Sequence, residues 1–275
     1  MKIITDTSAL YSPKEGEAKD LGVLPLSVTV NDHTYTEFVD IDSDQFLDLL
    51  KDGSVPRSSQ PSIGETIDVF ENIDDEMLVL TMGDGLSGTY QSTVAAMNSV
   101  KNKIIKVIDT KTLCGPHRYV VQKAMQLKEQ KMNMEDIVNK LQDSLDHTKS
   151  FLIPQDFSFL ERGGRLTPIA AKVGGMLKIV PIMTLTEDAK KLEVHGVKRT
   201  MKSAISEIIN TFNDMNIDEN YIIYVSHAGV REQAEKVASQ LRAKFNNIKI
   251  EILELSPVFI TQGGPGCIAV QMIKM

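Results

Sequence analysis

The sequence predicts an α/β protein of two domains, the N-terminal one with a largely parallel sheet and the C-terminal one with a mixed sheet. The first observation behind this prediction is the alternation of strand-length apolar runs with helical patterns through residues 1–149. The second is a different pattern in residues 150–275, where two strand-like runs meet at the turn Glu187-Asp188, as in an antiparallel pair. The third is a strand that leads through a glycine-rich turn into a helix within residues 77–97.

The elements of the first half follow from apolar periodicity and from the turn residues between them. Strands are predicted at residues 2–5, 23–30, 34–38, 77–82 and 104–108. Helices are predicted at residues 14–21, 43–50, 63–70, 88–97, 115–128 and 134–147. Residues 54–62 contain two prolines and several serines, which predicts a polar loop.

The elements of the second half mix strand pairs with strand–helix–strand order. Strands are predicted at residues 151–154, 178–185, 192–197, 221–226, 248–255 and 267–273, and helices at 200–215 and 231–245. Residues 158–167 are predicted to form a glycine–arginine turn, and residues 257–266 a glycine-rich loop. We place the domain boundary so that one domain covers residues 1–149 and the other residues 150–275.

The glycine-rich turn after the strand at 77–82 predicts an anion site. Ser87 stands where a helix N-cap belongs, and the free N–H groups of a helix start attract negative charge. Loops that follow parallel strands meet at one edge of the sheet. The loops Asp6-Thr7-Ser8, Gly83-Asp84-Gly85 and Asp109-Thr110 should therefore gather at that edge.

Composition narrows the class of protein and the kind of partner. The 275 residues are 42% hydrophobic and 24% charged, which is typical of a globular protein, and a net charge of −7 makes a nucleic-acid partner unfavourable. The apolar runs are far shorter than the roughly 18 residues that span a bilayer. The two cysteines, Cys114 and Cys267, lie far apart, which argues against a disulfide framework or a zinc site and favours a cytoplasmic location.

Two enzymatic hypotheses stay open at the same turn. The first is a dinucleotide-dependent oxidoreductase, because Gly83-x-Gly85-x-x-Gly88 lies between a strand and a helix and Asp109 ends the next strand. The position of this motif in mid-chain and the lack of an obvious catalytic His or Lys weigh against that hypothesis.

The second enzymatic hypothesis is an ester hydrolase with Ser87 as nucleophile. A nucleophile elbow needs glycine where Thr89 stands, and none of the five histidines has a recognised spacing. A capping role for Ser87 is therefore favoured. No GxxxxGK[ST] motif occurs, so the chain shows no means of using ATP by itself.

Six short motifs, each weak alone, occur in one order over nearly the whole chain. They are Thr5-Asp6-Thr7-Ser8, Ser58-Ser59-Gln60-Pro61-Ser62, Gly85-Leu86-Ser87-Gly88-Thr89-Tyr90, Arg162-Gly163-Gly164-Arg165, Lys198-Arg199 and Gly263-Gly264-Pro265-Gly266. Together they resemble the DegV family of bacterial fatty-acid-binding proteins. The resemblance implies a two-domain α/β fold with a long-chain fatty acid between the domains.

The resemblance also implies a function that is not enzymatic. The protein would carry the acid for a separate fatty acid kinase, which forms the acyl phosphate used in phospholipid synthesis. No cofactor or metal is expected, and membrane contact would be transient at most.

The resemblance assigns the site residues by position. Ser87 and Ser58 would bind the carboxylate, with Gly88 and Ser59 beside them. Arg165 and Arg199 would have supporting roles. Where the family carries a histidine in the late glycine loop, this chain has Gln262, which can donate a hydrogen bond but cannot carry a charge.

Overall fold

The computed structural model describes residues 1–175 and 178–275, which form three β-sheets with helices between and around them. The strands are β1 (Lys2–Asp6), β2 (Leu21–Leu24), β3 (Ser27–Val30), β4 (His33–Thr36), β5 (Arg57–Ser59), β6 (Met77–Thr81), β7 (Ile105–Asp109), β8 (Thr148–Ile153), β9 (Val180–Leu185), β10 (Leu192–Lys198), β11 (Tyr221–His227), β12 (Lys249–Glu254) and β13 (Ile268–Lys274). The helices are α1 (Pro13–Glu17), α2 (Ser43–Leu49), α3 (Ile63–Glu71), α4 (Thr89–Ser99), α5 (Cys114–Glu129), α6 (Met134–Asp146), α7 (Phe157–Gly163), α8 (Met201–Asp214), α9 (Arg231–Lys244) and α10 (Pro257–Gly263). None of these helices, all from the described part of the chain, is long and apolar enough to cross a membrane.

The first sheet is parallel throughout and confirms the prediction for the N-terminal half. Its strand order is β2-β1-β6-β7. Successive side chains alternate between its two faces. Ile3 and Leu78 are buried with residues of α5 and α6 on one face, and Ile4 and Val79 are buried with residues of α3 and α4 on the other. Strands covered on both faces explain why residues 77–80 are an unbroken apolar run.

The single strand predicted at residues 23–30 is wrong, because this stretch supplies two strands to different sheets. β2 ends at Leu24 in the parallel sheet, and β3 begins at Ser27 after Pro25. Proline has no N–H to donate to a ladder, so it separates the two strands. β3 is the centre of a small antiparallel sheet with the order β4-β3-β5.

The polar loop predicted at residues 54–62 contains the third strand of this small sheet. β5 pairs antiparallel with β3, and Ser58 stands opposite Val28. Three polar residues give no apolar alternation, so the sequence contains no strand signal here. The pairing with β3 is what makes the segment a strand.

The second large sheet is mixed, as predicted, with the order β10-β9-β8-β13-β11-β12. β9 and β10 form the predicted antiparallel pair, and β11, α9 and β12 form the predicted strand–helix–strand unit with parallel strands. Lys149, beside which the domain boundary was placed, lies in β8, a strand of this sheet. The division into domains at residue 149 remains a prediction.

Two segments predicted as turn or loop contain helices. The first part of residues 158–167 belongs to α7. This helix is capped at its start by the Asp156 side chain, and its C-cap residue is Gly164, with φ of +69°. Residues 257–266 begin with α10, in which Pro257 takes the first-turn position that suits proline. Glycine and proline predicted a loop, but here they lie only at the ends of the helix, and the residues Val258–Thr261 between them are buried.

Helix α5 joins the two halves of the molecule. Its residues Val121 and Ala124 share one buried cluster with Leu80 of β6 and with Ile222 of β11. At Gly115, α5 lies so close to the second large sheet that a Cβ on this residue would overlap the ring of Tyr224 in β11. The two large sheets are therefore packed through a common apolar core.

Candidate functional site

A cavity of about 310 Å³ lies between the loops of the first sheet, the strand β5 and the inner face of the second sheet. This volume falls within the roughly 300–1,000 Å³ of small-molecule sites. Most of the wall is apolar and comes from both halves of the chain, including Leu26, Met82, Leu86, Leu113, Leu152, Leu160, Leu185, Leu192 and Phe259. Polar side chains are few, and they fall into two groups.

The loops at the carboxyl edge of the first sheet gather as the sequence predicted. Asp6 Oδ2 accepts a hydrogen bond from the Met82 amide at 2.9 Å. Asp109 Oδ1 accepts from the amides of Asp84, at 3.1 Å, and Lys111, at 2.9 Å. The three loops are thus tied together by carboxylates, and this fixes the turn that carries Ser87.

Ser87 lines the cavity at the start of α4. The helix begins at Thr89, one residue later than predicted, and Gly88 is at the N-cap position, so the prediction of Ser87 as the N-cap is wrong. Ser87 Oγ still accepts from the Thr89 amide at 3.3 Å and lies 2.8 Å from Thr89 Oγ1. Either hydroxyl can be the donor in the pair formed by Ser87 and Thr89, so the Ser87 hydroxyl can donate to a ligand when Thr89 Oγ1 donates to Ser87.

Ser58 reaches the same end of the cavity from β5. Its Oγ accepts a hydrogen bond from Gln262 Nε2 of α10 at 3.0 Å. The Ser58 hydroxyl hydrogen is therefore also available, and so is the second hydrogen of the Gln262 amide. Ser59 lines the cavity next to Ser58. The structure thus brings together Ser87, Ser58, Ser59 and Gln262, which lie far apart in the sequence.

Gly88 and Arg165 complete this group, which we call the head end: Ser58, Ser59, Gln60, Ser87, Gly88, Arg165 and Gln262. A Cβ at Gly88 would overlap the carboxamide of Gln60, so glycine allows that side chain to approach. Arg165 Nε donates to the Leu86 carbonyl at 3.0 Å, and burial lowers the pKa of this guanidinium. Among the described residues, Arg165 is the one charged side chain that lines the cavity.

Arg199 is not brought to the head end. It is exposed between β10 and α8, and it is absent from the described lining of the cavity. Its neighbour Lys198 pairs instead with Glu207 at 2.9 Å. A supporting role for Arg199 remains a prediction with no contact to the cavity.

Three polar residues in the described lining were not assigned to the site by the sequence analysis: Gln60, which it named only as part of a motif, Ser150 and Gln271. Gln271 had a signal, since it is a lone amide in the apolar strand Ile268–Lys274. Its Nε2 donates to Ser150 Oγ at 2.9 Å and to the Leu113 carbonyl at 3.1 Å. Ser150 and Gln271 form the second polar group, which we call the deep end.

A buried acid lies behind the head end. Glu37 is fully buried, contacts the Thr7 hydroxyl and accepts from the Val258 amide, in the first turn of α10, at 3.1 Å. Burial raises the pKa of Glu37 to about 7, against the opposing effect of these hydrogen bonds. The group therefore connects the small sheet to the helix that carries Gln262.

The glycine turn has contacts that disfavour a dinucleotide. A Cβ at Gly85, where φ is +90°, would lie 2.9 Å from Lys190, and Gly88 faces Gln60. The faces that would have to admit a pyrophosphate are thus covered by the chain itself. Asp109, the candidate ribose ligand, is engaged with the loop amides.

The hydrolase hypothesis finds no support in the geometry. Within residues 1–175 and 178–275, no histidine hydrogen-bonds to Ser87. His117 lies in the core, with Nδ1 2.8 Å from Ser8 Oγ, and burial lowers its pKa. In the same ranges no group of three or more His, Cys, Asp or Glu side chains could hold a metal ion.

Comparison with known proteins gives the same fold and a family. All of residues 1–275 match the family described as "Uncharacterised protein, DegV family". A DegV domain-containing protein of Halalkalibacterium halodurans is 31% identical over 274 residues, which are 97% of this chain and 95% of the relative.

Solved structures of DegV proteins share the architecture closely. The crystal structure of DegV, a fatty acid binding protein from Bacillus subtilis, matches with a TM-score of 0.87 at 28% identity, covering 99% of this chain and 98% of that one. A fatty acid binding DegV family protein from Streptococcus agalactiae matches with a TM-score of 0.89 at 29% identity over the same shares. These matches confirm the predicted α/β fold, and the chain belongs to the DegV family.

Proposed function

We propose that this protein binds a long-chain fatty acid, with the carboxylate at the head end and the hydrocarbon tail in the apolar part of the cavity. The observation that carries the proposal is the pairing of Ser58 and Ser87, whose oxygens already accept hydrogen bonds from Gln262 and from Thr89. Each hydroxyl can donate to a ligand, that of Ser87 when Thr89 Oγ1 is the donor of their pair, and a carboxylate is an acceptor only. The fatty acid binding named for two structural relatives supports the same ligand class.

The head end suits one carboxylate in its charge as well as in its hydrogen bonds. Gly88 and Ser59 lie beside the two serines, and Arg165 supplies a positive charge. Hydrogen bonds to a charged group contribute about 1.5–3 kcal/mol each. A protein of net charge −7 needs such a local site in order to hold an anion.

The tail provides most of the affinity. Burying a methylene contributes roughly 0.8 kcal/mol, so about fifteen methylenes contribute on the order of 12 kcal/mol before the costs of association. The head end therefore sets the position of the ligand, and the apolar wall sets how tightly it is held.

We further propose that the protein is a carrier and not an enzyme, and that a separate fatty acid kinase phosphorylates the bound carboxylate. The sequence contains no P-loop, and the head end includes exposed residues, Ser59 and Gln60, at the rim of the cavity. A carboxylate at that rim is accessible to a second protein while the tail stays enclosed. The kinase partner is proposed from the family resemblance, and a cytoplasmic location from the two cysteines, which are both free.

Mass spectrometry of small molecules extracted from the purified protein tests the proposal directly. We expect a long-chain fatty acid in wild-type protein and clearly less of it in Ser87→Ala, with unfolding curves that stay similar. Thermal-shift measurements with NADH, FAD and oleate in parallel separate a lipid carrier from an oxidoreductase, because only oleate should stabilise the protein. Absence of any lipid together with stabilisation by NADH or FAD would overturn the proposal.

A further inference from the structure

Gln271 is a buried polar side chain that the carboxylate site does not use. It is 2% exposed, lies in β13 and lines the cavity. Both of its recorded hydrogen bonds use Nε2, toward Ser150 Oγ and the Leu113 carbonyl. Its Oε1 is buried and has no hydrogen-bond partner in the part of the chain that the structure describes.

The strand places Gln271 on the cavity side and away from the head end. Ile268, Val270 and Met272 of β13 belong to the core of the second half, so Ala269 and Gln271 point to the opposite face of the sheet. Ala269 pairs with Leu152, which lies beside the end of α10, and Gln271 pairs with Ser150. Gln271 is thus about 7 Å further along the strand than Ala269.

Ser150 and Gln271 together offer one donor and one acceptor. Ser150 Oγ accepts from Gln271 Nε2, and no acceptor for its hydroxyl hydrogen is recorded among the described residues. A hydroxyl both donates and accepts. A ligand hydroxyl can therefore donate to Gln271 Oε1 while it accepts from Ser150, and this would satisfy both groups.

An unsubstituted alkyl chain would leave the deep end unsatisfied. A buried acceptor without a partner is unfavourable, whereas an apolar residue of similar shape at the same position would have no such cost. Neither Ser150 nor Gln271 carries a charge, so the pair does not match a second carboxylate or an ammonium group. A neutral hydroxyl is the group that fits.

We propose that the deep end recognises a hydroxyl group on the middle or distal part of the acyl chain, so that the preferred ligand is a long-chain hydroxy acid. This inference rests on the proposed function, since it concerns the tail of a fatty acid whose carboxylate is at the head end. Gln271 and Ser150 act here as specificity-determining residues.

The test compares palmitic acid with palmitic acids that carry one hydroxyl, placed in turn from the middle of the chain to its terminal carbon. Dissociation constants are measured by letting each acid displace a fluorescent fatty acid from the protein. The proteins compared are wild type, Gln271→Met, Ser150→Ala and, as control, Ser87→Ala. We expect wild type to bind at least one hydroxy acid about tenfold more tightly than palmitic acid. In Gln271→Met and Ser150→Ala this ratio should fall toward one, whereas Ser87→Ala should weaken both ligands and keep the ratio.

The wild-type comparison decides the inference even if a variant does not fold. Palmitic acid bound as tightly as every hydroxy acid overturns it, as does a preference that survives in both deep-end variants. In those cases the proposed function stands, because a fatty acid is still bound. Failure of wild type to bind any of these acids removes the proposed function and this inference together.

Discussion

The two ends of the cavity use the same residue types for different tasks. Each has a serine whose oxygen accepts from a glutamine amide, Ser58 from Gln262 and Ser150 from Gln271. At the head end a second serine, Ser87, adds another donor, and Arg165 adds a positive charge. Within the described residues the Oε1 of each glutamine is buried without a hydrogen-bond partner, so the deep end differs in having neither a second serine nor a charge beside its pair. The comparison teaches that the neighbours of a serine–glutamine pair decide whether it suits an anion or a neutral hydroxyl.

The largest expected effect comes from removing both donors of the head end. In the double variant Ser58→Ala, Ser87→Ala, two hydrogen bonds to the carboxylate are lost, at about 1.5–3 kcal/mol each. The dissociation constant for palmitic acid should rise by at least about a hundredfold, measured by displacement of a fluorescent fatty acid. Ser150→Ala is the matched control at the deep end, and equal weakening by both changes would contradict the difference between the ends.

The next effect concerns the buried acid behind the head end. The folded protein raises the pKa of Glu37 from 4.5 to about 7, so it holds this proton more tightly than the unfolded chain does. The contribution of the protonated Glu37 to the free energy of unfolding is complete below about pH 4.5, declines as pH rises and is absent above about pH 7. It amounts to at most about 3 kcal/mol.

Glu37→Gln removes this pH dependence because an amide does not titrate. Urea unfolding at pH 5 and pH 8 should show that wild type loses more stability than the variant over this interval, by up to about 3 kcal/mol. Parallel pH profiles for the two proteins would show that Glu37 does not titrate differently in the folded state.

A smaller effect is expected from a change between the two ends. Ala269 is 7% exposed, lines the cavity and precedes Gln271 by two residues on β13. Ala269→Leu fills the space of about three methylenes, so palmitic acid should bind roughly ten- to a hundredfold more weakly. Lauric acid, with a shorter tail, should be affected less. A chain-length profile measured by displacement checks this, and a uniform loss for all lengths would argue against a tail that passes Ala269.

The smallest effect sharpens the chemistry of the head end. Gln262→His introduces the residue that the DegV resemblance places there, with an ordinary pKa near 6.5. Its charged form should attract the carboxylate, so binding of palmitic acid should be several-fold tighter at pH 6 than at pH 8. Wild type, measured at the same two pH values, controls for titration of the free acid. If the ratio of the dissociation constants at pH 8 and pH 6 were the same for the variant and for wild type, residue 262 would not reach the carboxylate.

The sequence predicted the elements whose signal is local. Residues 77–80 are apolar throughout because β6 is covered on both faces, and Glu187-Asp188 lies in the connection between an antiparallel pair. The sequence failed where a distant partner decides the local structure. The polar segment Arg57–Ser59 becomes a strand through pairing with β3, and residues 257–263 become a helix within a buried setting.

The site was predicted in part for a similar reason. Ser87 was found because a strand, a glycine turn and a helix start are contiguous in the chain. Ser58 and Gln262 came only from the family resemblance, since no local rule relates residues 204 positions apart. The pair formed by Ser150 and Gln271 was missed, although a single amide in an apolar strand could have been noticed.

The sequence by itself determined the α/β class and the parallel sheet of the first half, and it predicted an anion site at the turn of Ser87, because each depends on periodicity or on adjacent residues. Only the tertiary structure decided that a cavity lies between the two halves, that Arg165 reaches it while Arg199 does not, and that Gln271 lacks a partner for Oε1 among the described residues. These features depend on which side chains from distant segments meet, and hydrogen-bond pairing and packing between separate elements set that arrangement.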